Sequence, residues 1–484
     1  MTALVVTPVL VPLATAALAT LASRRPALQQ VVSAAGILAF LGCALALLVQ
    51  AATDQPAQAA FGGWAAPYGI EFRLDRTGSA LVLITALMGA ASLLFLASDA
   101  DGGHRHPLVL PLLHGLLAGV GGAFATADLF NLYVWFEVML ICAIGLFAIG
   151  GRVDQLDASF KYLVLNLLGT LLLLMAVGAV YAVTGHLNFG ALAQAAPALA
   201  PGLAGVVLAA LSLAFLIKAG AFPLYAWLPA SYHTLPAPVL ALVAGLLTKV
   251  GIYAVLRTLG DVFAPAPAVL YEALGWIAAA TMLFGVLGAA YHWDMRRILA
   301  FHIVSQVGYI LLGIALAGEA GNAATLFYTV HHIVVKANLF LIAAMVWRLT
   351  GSYDLRRIGG LYAARPLLGV LFLIPALSLV GIPPLSGFWA KLMILQEAIA
   401  QGRVAWTVIA LLVSVLTLYS MMKIWMEAFW KIHPDTGWRL PGRTRLAPAW
   451  AATWALAALT LAISLNPQPL VAYAQAAART MGGG

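Results

Sequence analysis

Glu137, Lys218, Lys249, His332, Lys336 and Lys391 each lie well inside a long apolar run of this 484-residue chain. A charge at the centre of a bilayer costs about 2.5–3.5 kcal/mol on insertion scales, so groups of this kind at that depth pair, or trade protons, with one another. A lysine beside a carboxylate holds its proton, and one that loses that partner tends to release it. Moving such a pair can therefore drive proton transfer, and a row of such groups with water between them makes a relay. Glu137 is the carboxylate of the set, in "NLYVWFEVMLICAIGLFAIGG". His332 and Lys336 are four apart and stand one above the other on a single helical face. Other polar residues have a plainer reading. Lys161 and Lys423 lie near run ends, where a lysine snorkels to the headgroups, and Glu427 one turn beyond Lys423 offers a local partner. His302 and His331 fit packing and relay roles equally well.

The elements that must hold these groups follow from composition. Sixty-three per cent of the residues are hydrophobic and 9% charged, against about 25% charged in soluble domains. The expectation is an all-α polytopic membrane protein, and the formal charge of +8 then says nothing about nucleic acid, which is not an expected partner. Fourteen apolar runs can be counted, centred near Thr15, Phe40, Met88, Leu117, Leu140, Leu171, Leu213, Leu246, Phe284, Val307, Val335, Leu377, Val413 and Leu456. The first is read as a span, because no basic residue precedes it as in a cleaved leader. With fourteen spans, fourteen cations gather on one face: Arg24, Arg25, Arg105, Arg152, Arg296, Arg297, Arg348, Arg356, Arg357, Arg365, Lys431, Arg439, Arg443 and Arg445. The opposite face holds Arg73, Arg76, Arg257, Arg403 and Arg479. The positive-inside rule makes the first face cytoplasmic and places both termini outside, in what reads as a bacterial inner membrane.

Two runs carry helix breakers beside a lysine. Pro223 interrupts the seventh five residues after Lys218, and "GIPPLSG", with Pro383 and Pro384, interrupts the twelfth just before Lys391. A proline in a span frees a backbone carbonyl, which is tolerated at membrane depth where the gap lines a polar cavity. Paired broken helices in corresponding positions of two halves point to inverted repeats. The expected division is a three-helix segment (1–100), repeat 1 of spans four to eight (101–260), repeat 2 of spans nine to thirteen (261–432), and a last helix with its tail (433–484).

"NLYVWFEVML", "FKYLVLNLLGT", "IKAGAFPLYAWLPASYHTLPAPVLALVAGLLTKVGIY", "DMRRILAFHIVSQVGYI" and "GIPPLSGFWAKL" together resemble the proton-translocating antiporter module. That module is shared by Mrp-type multisubunit cation/proton antiporters, the membrane arm of respiratory complex I and membrane-bound hydrogenases. "GGWAAPYGIEF" from Gly62, and a chain that stops soon after the fourteenth run, are most similar to the D subunits of the Mrp group. The resemblance implies Glu137 and Lys218 as a coupled pair, Lys249 as the central relay lysine, His332 and Lys336 as the link to the second half, and Lys391 as the terminal proton site. It also implies other hydrophobic subunits as partners and protons, with Na⁺, as the ions moved. One departure stands out: the sixth run has no mid-span acid, so a relay step that uses one there is missing.

Other classes fit less well. Two scattered cysteines, Cys43 and Cys142, and no facing pair of axial histidines leave haem and iron–sulfur cofactors without ligands, and no Walker loop is present. No cofactor or metal is expected, and the chain reads as a transporter subunit rather than an enzyme. A stand-alone secondary transporter and a proton-pumping subunit of a redox-driven complex remain as rivals.

Overall fold

The computed structural model describes residues 4–53, 56–64, 68–98, 106–440 and 446–481. Arg105, Arg443 and Arg445 of the charge count, and Ala65–Pro67 of the Gly62 motif, lie outside the described residues. All fourteen run centres fall within helices. The first six runs become α1 (Thr7–Leu21), α2 (Pro26–Ala51), α3 (Arg76–Leu96), α4 (Val109–Ala125), α5 (Leu129–Ala148) and α6 (Val153–Thr184). After a short α7 (Phe189–Ala195), the seventh run is split into α8 (Pro201–Ala219) and α9 (Trp227–Ser231). Then come α10 (Ala237–Arg257), α11 (Ala268–Tyr291), α12 (Met295–Ala315) and α13 (Gly318–Thr350). A one-turn α14 (Leu361–Ala364) precedes the split twelfth run, α15 (Pro366–Val380) and α16 (Ser386–Ala400), followed by α17 (Val404–Ile424), α18 (Ala447–Leu465) and α19 (Gln468–Arg479).

By length and composition, twelve helices among the described residues can cross a membrane; Val109–Ala125 and Pro366–Val380 are apolar but shorter. Burial sorts them into shells. The most apolar stretches of α10, α12 and α13 are almost wholly buried, whereas α2 and α6 turn Leu38, Val49, Phe160 and Met175 outward. Apolar side chains facing out are what lipid contact selects, so α12 and the lysine-bearing helices α10 and α13 are the innermost.

Caps fix where the helices start. The Asp75, Asp128 and Asn188 side chains accept from the backbone N–H of Gly78, Asn131 and Ala191, satisfying donors that a helix start leaves bare. Asp294 does the same for Arg296 and Arg297 at the start of α12. The breaks are fixed by Gly220 (φ 74°) and Gly381 (φ 94°), left-handed residues that end α8 and α15.

The helix ends carry a repeat. Asp128 pairs with Asn188 in an isolated antiparallel bridge, and Asp294 pairs with Asp354 in another. Each partner follows a Thr–Gly that closes a long helix, Thr184–Gly185 after α6 and Thr350–Gly351 after α13. The first bridge lies with Glu71, Phe72 and Thr126, at the face expected to be outside. The second lies with Arg296, Tyr353 and Arg356, at the face expected to be cytoplasmic. The breaks correspond too, as Gly-x-x-Pro-Leu at Gly220–Leu224 and Gly381–Leu385.

Sequence reading missed three features. A hairpin of β1 (Ala57–Ala60) and β2 (Glu71–Leu74), in register Ala57↔Leu74 to Ala60↔Glu71, precedes α3. The tail forms α19, anchored by Tyr473 Oη to the Arg76 carbonyl (2.7 Å) and by Arg479 to Glu319 (2.9 Å). The expected Lys423–Glu427 pair is replaced: Glu427 binds Lys431 at 2.6 Å, and Lys423 donates to the carbonyls of Ala290 and His292 at 2.7 Å each. The reason is geometric, since the α11–α12 turn brings bare carbonyls within reach of the lysine. Lys161 forms an exposed pair with Asp157 at 2.5 Å, in keeping with its surface reading.

Candidate functional site

Glu137 sits at mid-helix in α5. Gly119 and Gly122 of α4 make room for Trp135 and Met139, since a Cβ on Gly122 would run into the Trp135 ring. Trp135 is held by Nε1–H donation to Asn131 Oδ1 (2.8 Å). That docking fixes the rotation of α5 and turns Phe136 towards α8. Glu137 is half-buried, and its Oε1 has no hydrogen-bond partner among the described residues.

Lys218 occupies the last turn of α8, just before the break. Its ammonium donates to the Asn166 carbonyl (2.8 Å) and Thr170 Oγ1 (2.5 Å) of α6, and lies 5.8 Å from the Phe136 ring centroid. The coupled pair implied by the resemblance is not a contact here: among the described residues Glu137 and Lys218 form no ion pair, although the carboxylate is within electrostatic reach of the amine. A water-sized cavity lies against Lys218, lined by Phe136, Tyr162, Asn166 and Trp227.

Lys249 is fully buried in α10. Its amine curls back along its own helix to the Ala244 carbonyl and Thr248 Oγ1, both at 3.1 Å. Gly251 lets α10 meet α8, where an added Cβ would stand 2.6 Å from the Ala219 nitrogen and 2.9 Å from the Lys218 carbonyl carbon. Because those atoms are backbone, they yield only if α8 moves. Gly251→Leu is therefore expected to lower the stability of the purified protein by about 1–3 kcal/mol, the usual cost of overpacking. A thermal melt of the variant equal to the parent's would refute the close approach.

On α13, Lys336 donates to the Leu299 carbonyl of α12 (3.1 Å), and His332 one turn earlier has both ring nitrogens buried without a partner among the described residues. His332 is within electrostatic reach of Lys249, Lys336 and His302. His302 binds Ser420 Oγ through Nε2 (2.5 Å) and leaves Nδ1 unpaired, with Lys336 and Lys391 both in reach. His331, on a different side of α13, binds Ser386 Oγ (2.8 Å) at the second break and feels Lys391. The two histidines left open by the sequence thus lie in the stretch between Lys336 and Lys391.

Lys391 explains the second break. Val380 is the last residue of α15, and its carbonyl has no helical N–H to accept; Lys391 takes it at 2.8 Å, with Ser414 Oγ at 3.0 Å and the Tyr309 ring centroid at 4.5 Å. In the first break the Ile217 carbonyl is taken by Trp227 Nε1–H (3.1 Å). Pro223 and Pro383–Pro384 stand in these two gaps. The acceptors Asn166, Thr170, Thr248 and Ser414 were not foreseen, although Asn166 and Thr170 are four apart inside an apolar run and could have been paired with a lysine.

The arrangement offers a string of buried amines and imidazoles on α8, α10, α12, α13 and α16, held by carbonyls and hydroxyls rather than by carboxylates. Such donors can pass a proton without the site taking up a metal or a large solute. The family described as "NADH:quinone oxidoreductase/Mrp antiporter, TM" matches residues 126–417, the stretch that carries the whole string.

The chain belongs to this family.

Among members of the NADH:quinone oxidoreductase/Mrp antiporter family, a protein named as the D subunit of a Na(+)/H(+) antiporter, from Alkalihalophilus pseudofirmus, is 38% identical over 471 residues, 97% of this chain and 95% of that one. A chain of the Mrp complex from a Dietzia species superposes with a TM-score of 0.91 at 34% identity, covering 99% of this chain and 98% of that one. A chain of the membrane-bound sulfane sulfur reductase, an archaeal respiratory membrane complex, gives the same TM-score at 26% identity, again over 99% and 98%.

Proposed function

We propose that this chain is a D-type subunit of a multisubunit Na⁺/H⁺ antiporter, carrying protons along Glu137, Lys218, Lys249, His332, Lys336 and Lys391. The observation that carries the reading is the string of buried amines on α8, α10, α13 and α16, in a chain 38% identical over nearly its whole length to a protein of that name. Protons are assigned to this chain because cationic groups repel a sodium ion while they can hand on a proton, and among the described residues no cluster of metal-ligating carboxylates accompanies Glu137. Hydrophobic partner subunits complete the machine. The chain catalyses no bond chemistry. The four-part division at residues 100, 260 and 432 belongs to the same reading, with the paired bridges and breaks in its support.

The test is cation-driven proton movement in inside-out vesicles carrying the whole complex. Na⁺ addition is expected to collapse an imposed pH gradient, and proton movement that needs a redox substrate instead of Na⁺ would transfer the chain to the second reading, a pumping subunit of a redox-driven complex. The equal TM-score of the sulfane sulfur reductase chain favours keeping that reading; the lower identity places it second. Exchange by the chain expressed alone would mean a stand-alone transporter.

Localisation in a bacterial cytoplasmic membrane with both termini outside predicts a labelling pattern. A cysteine placed at Ser352, in a background without Cys43 and Cys142, should react with an impermeant thiol reagent only after the cells are opened. Labelling from outside intact cells would reverse the topology.

A further inference from the structure

The last membrane helix of each half ends in the same pattern, 166 residues apart: Tyr253-x₃-Arg257-x₃-Asp261-x-Phe263 and Tyr419-x₃-Lys423-x₃-Glu427-x-Phe429. The bridges Asp128–Asn188 and Asp294–Asp354 share that spacing, Asp128 with Asp294 and Asn188 with Asp354. In both copies the helix closes in a wider π turn, Thr258–Val262 and Trp425–Trp430. Both reach equivalent carbonyls at the end of the first helix of their half. Tyr253 Oη donates to Phe124 (3.2 Å), and Lys423 donates to Ala290 (2.7 Å). A basic group is thus posted at each face of the molecule, and neither belongs to the lysine string.

The copy on α10 closes a cavity. It is water-sized and lies against Lys249 and Tyr253, with Thr77, Thr325 and Thr329 set among the apolar walls of Leu81, Ile252, Leu256 and Leu326. The Thr77 hydroxyl is buried with no partner among the described residues, and the Thr325 and Thr329 hydroxyls donate to their own helix, which leaves their oxygen lone pairs for the cavity. Behind Tyr253, outside the cavity lining, Arg257, 6% exposed, donates through Nε to Tyr253 Oη (2.9 Å), through Nη2 to Asp75 (2.6 Å) and through Nη1 to Asp261 (2.8 Å). Two carboxylates share one guanidinium. Arg257 can therefore release either without becoming an unpaired buried charge, the state that a protein interior penalises most.

We propose that the Asp75–Arg257–Asp261 cluster is the outer proton port of this subunit, joined to Lys249 by the cavity beneath Tyr253. This rests on the relay reading above. A proton taken from the outer solution by the Asp75 carboxylate frees Arg257 to Asp261. It then passes through water and the hydroxyls of Tyr253 and Thr77 to the Lys249 amine, leaving carboxylate and ammonium. The charged and titratable groups around Asp75 are Arg257, Tyr253 and Asp261 of the α10 end, Arg73 of β2, Arg76 of α3 and Tyr473 of α19. Burial would raise the Asp75 carboxyl, but the charge and hydrogen bond of Arg257 outweigh it and hold the group below the usual carboxylate range, so Asp75 rests as the carboxylate and takes a proton only as Arg257 turns to Asp261.

The port is tested in vesicles of the whole complex with Asp75→Asn, Asp75→Glu, Thr77→Val and Lys249→Ala. Asparagine still caps α3 through Gly78 N–H, so the first substitution removes the charge and keeps the helix start. Asp75→Asn is expected to slow exchange about tenfold or more, Asp75→Glu to restore most of it, and Thr77→Val to slow it several-fold. In right-side-out vesicles the rate of Asp75→Asn should lose its parent-like response to external pH and keep its response to internal pH, which a merely structural defect would not do. Parent-like exchange in Asp75→Asn or, should that variant not assemble, in Thr77→Val overturns the port. If Lys249→Ala is inactive while both are normal, the port alone fails; if Lys249→Ala is normal, the relay reading fails with it.

Discussion

Glu137→Gln is expected to lower Na⁺-driven proton exchange about a hundredfold or more while the complex still assembles, because it removes the one carboxylate of the string and nearly preserves its shape. The structure sharpens the reason. The Lys218 ammonium already has two neutral oxygen acceptors, so it does not need Glu137 as a fixed partner to be held in place. What the carboxylate supplies is a negative charge within reach of a cation in a low-dielectric setting, and this is where a charge acts most strongly. Without it, protonating Lys218 loses its compensation and the first step of the relay stalls. Glu137→Asp keeps the charge on a shorter arm and should retain partial activity. The measurement is dye-reported proton release in inside-out vesicles, normalised to assembled complex. An assembled glutamine variant that exchanges normally would reduce Glu137 to a packing residue.

Lys249→Ala should abolish exchange and leave thermal stability equal to or higher than the parent's. The two halves of that expectation have different causes. Lys249 is wholly buried, with a carbonyl and a hydroxyl at 3.1 Å as its only hydrogen-bonding partners among the described residues. Holding an amine there is poorly compensated, and replacing a buried ionisable group by an apolar one is often neutral or stabilising. Activity has no such substitute, since the neighbouring amine, Lys336, and His332 sit on another helix. A melt of the purified variant beside its exchange rate separates the two. A large loss of stability would mean that Lys249 is structural, and retained exchange would mean that protons bypass α10.

The string was legible in the sequence because ionisable residues inside apolar runs violate the pattern around them, and Lys218, Lys249, Lys336 and Lys391 do so plainly. The breaks were legible for the same reason, since Pro223 and Pro384 follow a glycine by three residues in both halves. What could not be read was who faces whom. Nothing in "IKAGAF" says that Lys218 turns to Asn166 and Thr170 instead of Glu137; that depends on Gly169 and Gly251 letting α6 and α10 close on α8. His331 and His332 are neighbours in sequence and about 100° apart on the helix, so their separate partners appear only in three dimensions. The hairpin escaped because Ala57–Ala60 has no strand-forming side chains and pairs only because Glu71–Leu74 lies beside it. Lys423 was assigned to Glu427 by spacing alone, and the carbonyls that hold it come from 130 residues away or more.

The two isolated bridges, one at each face, have a thermodynamic reading. On the inverted-repeat reading proposed above the two halves face opposite sides of the membrane, and an exchanger with no energy source of its own is not a one-way valve. It cannot rectify. Direction must come from the ion gradients alone, and reversing their combined sign must reverse the flux through the same residues.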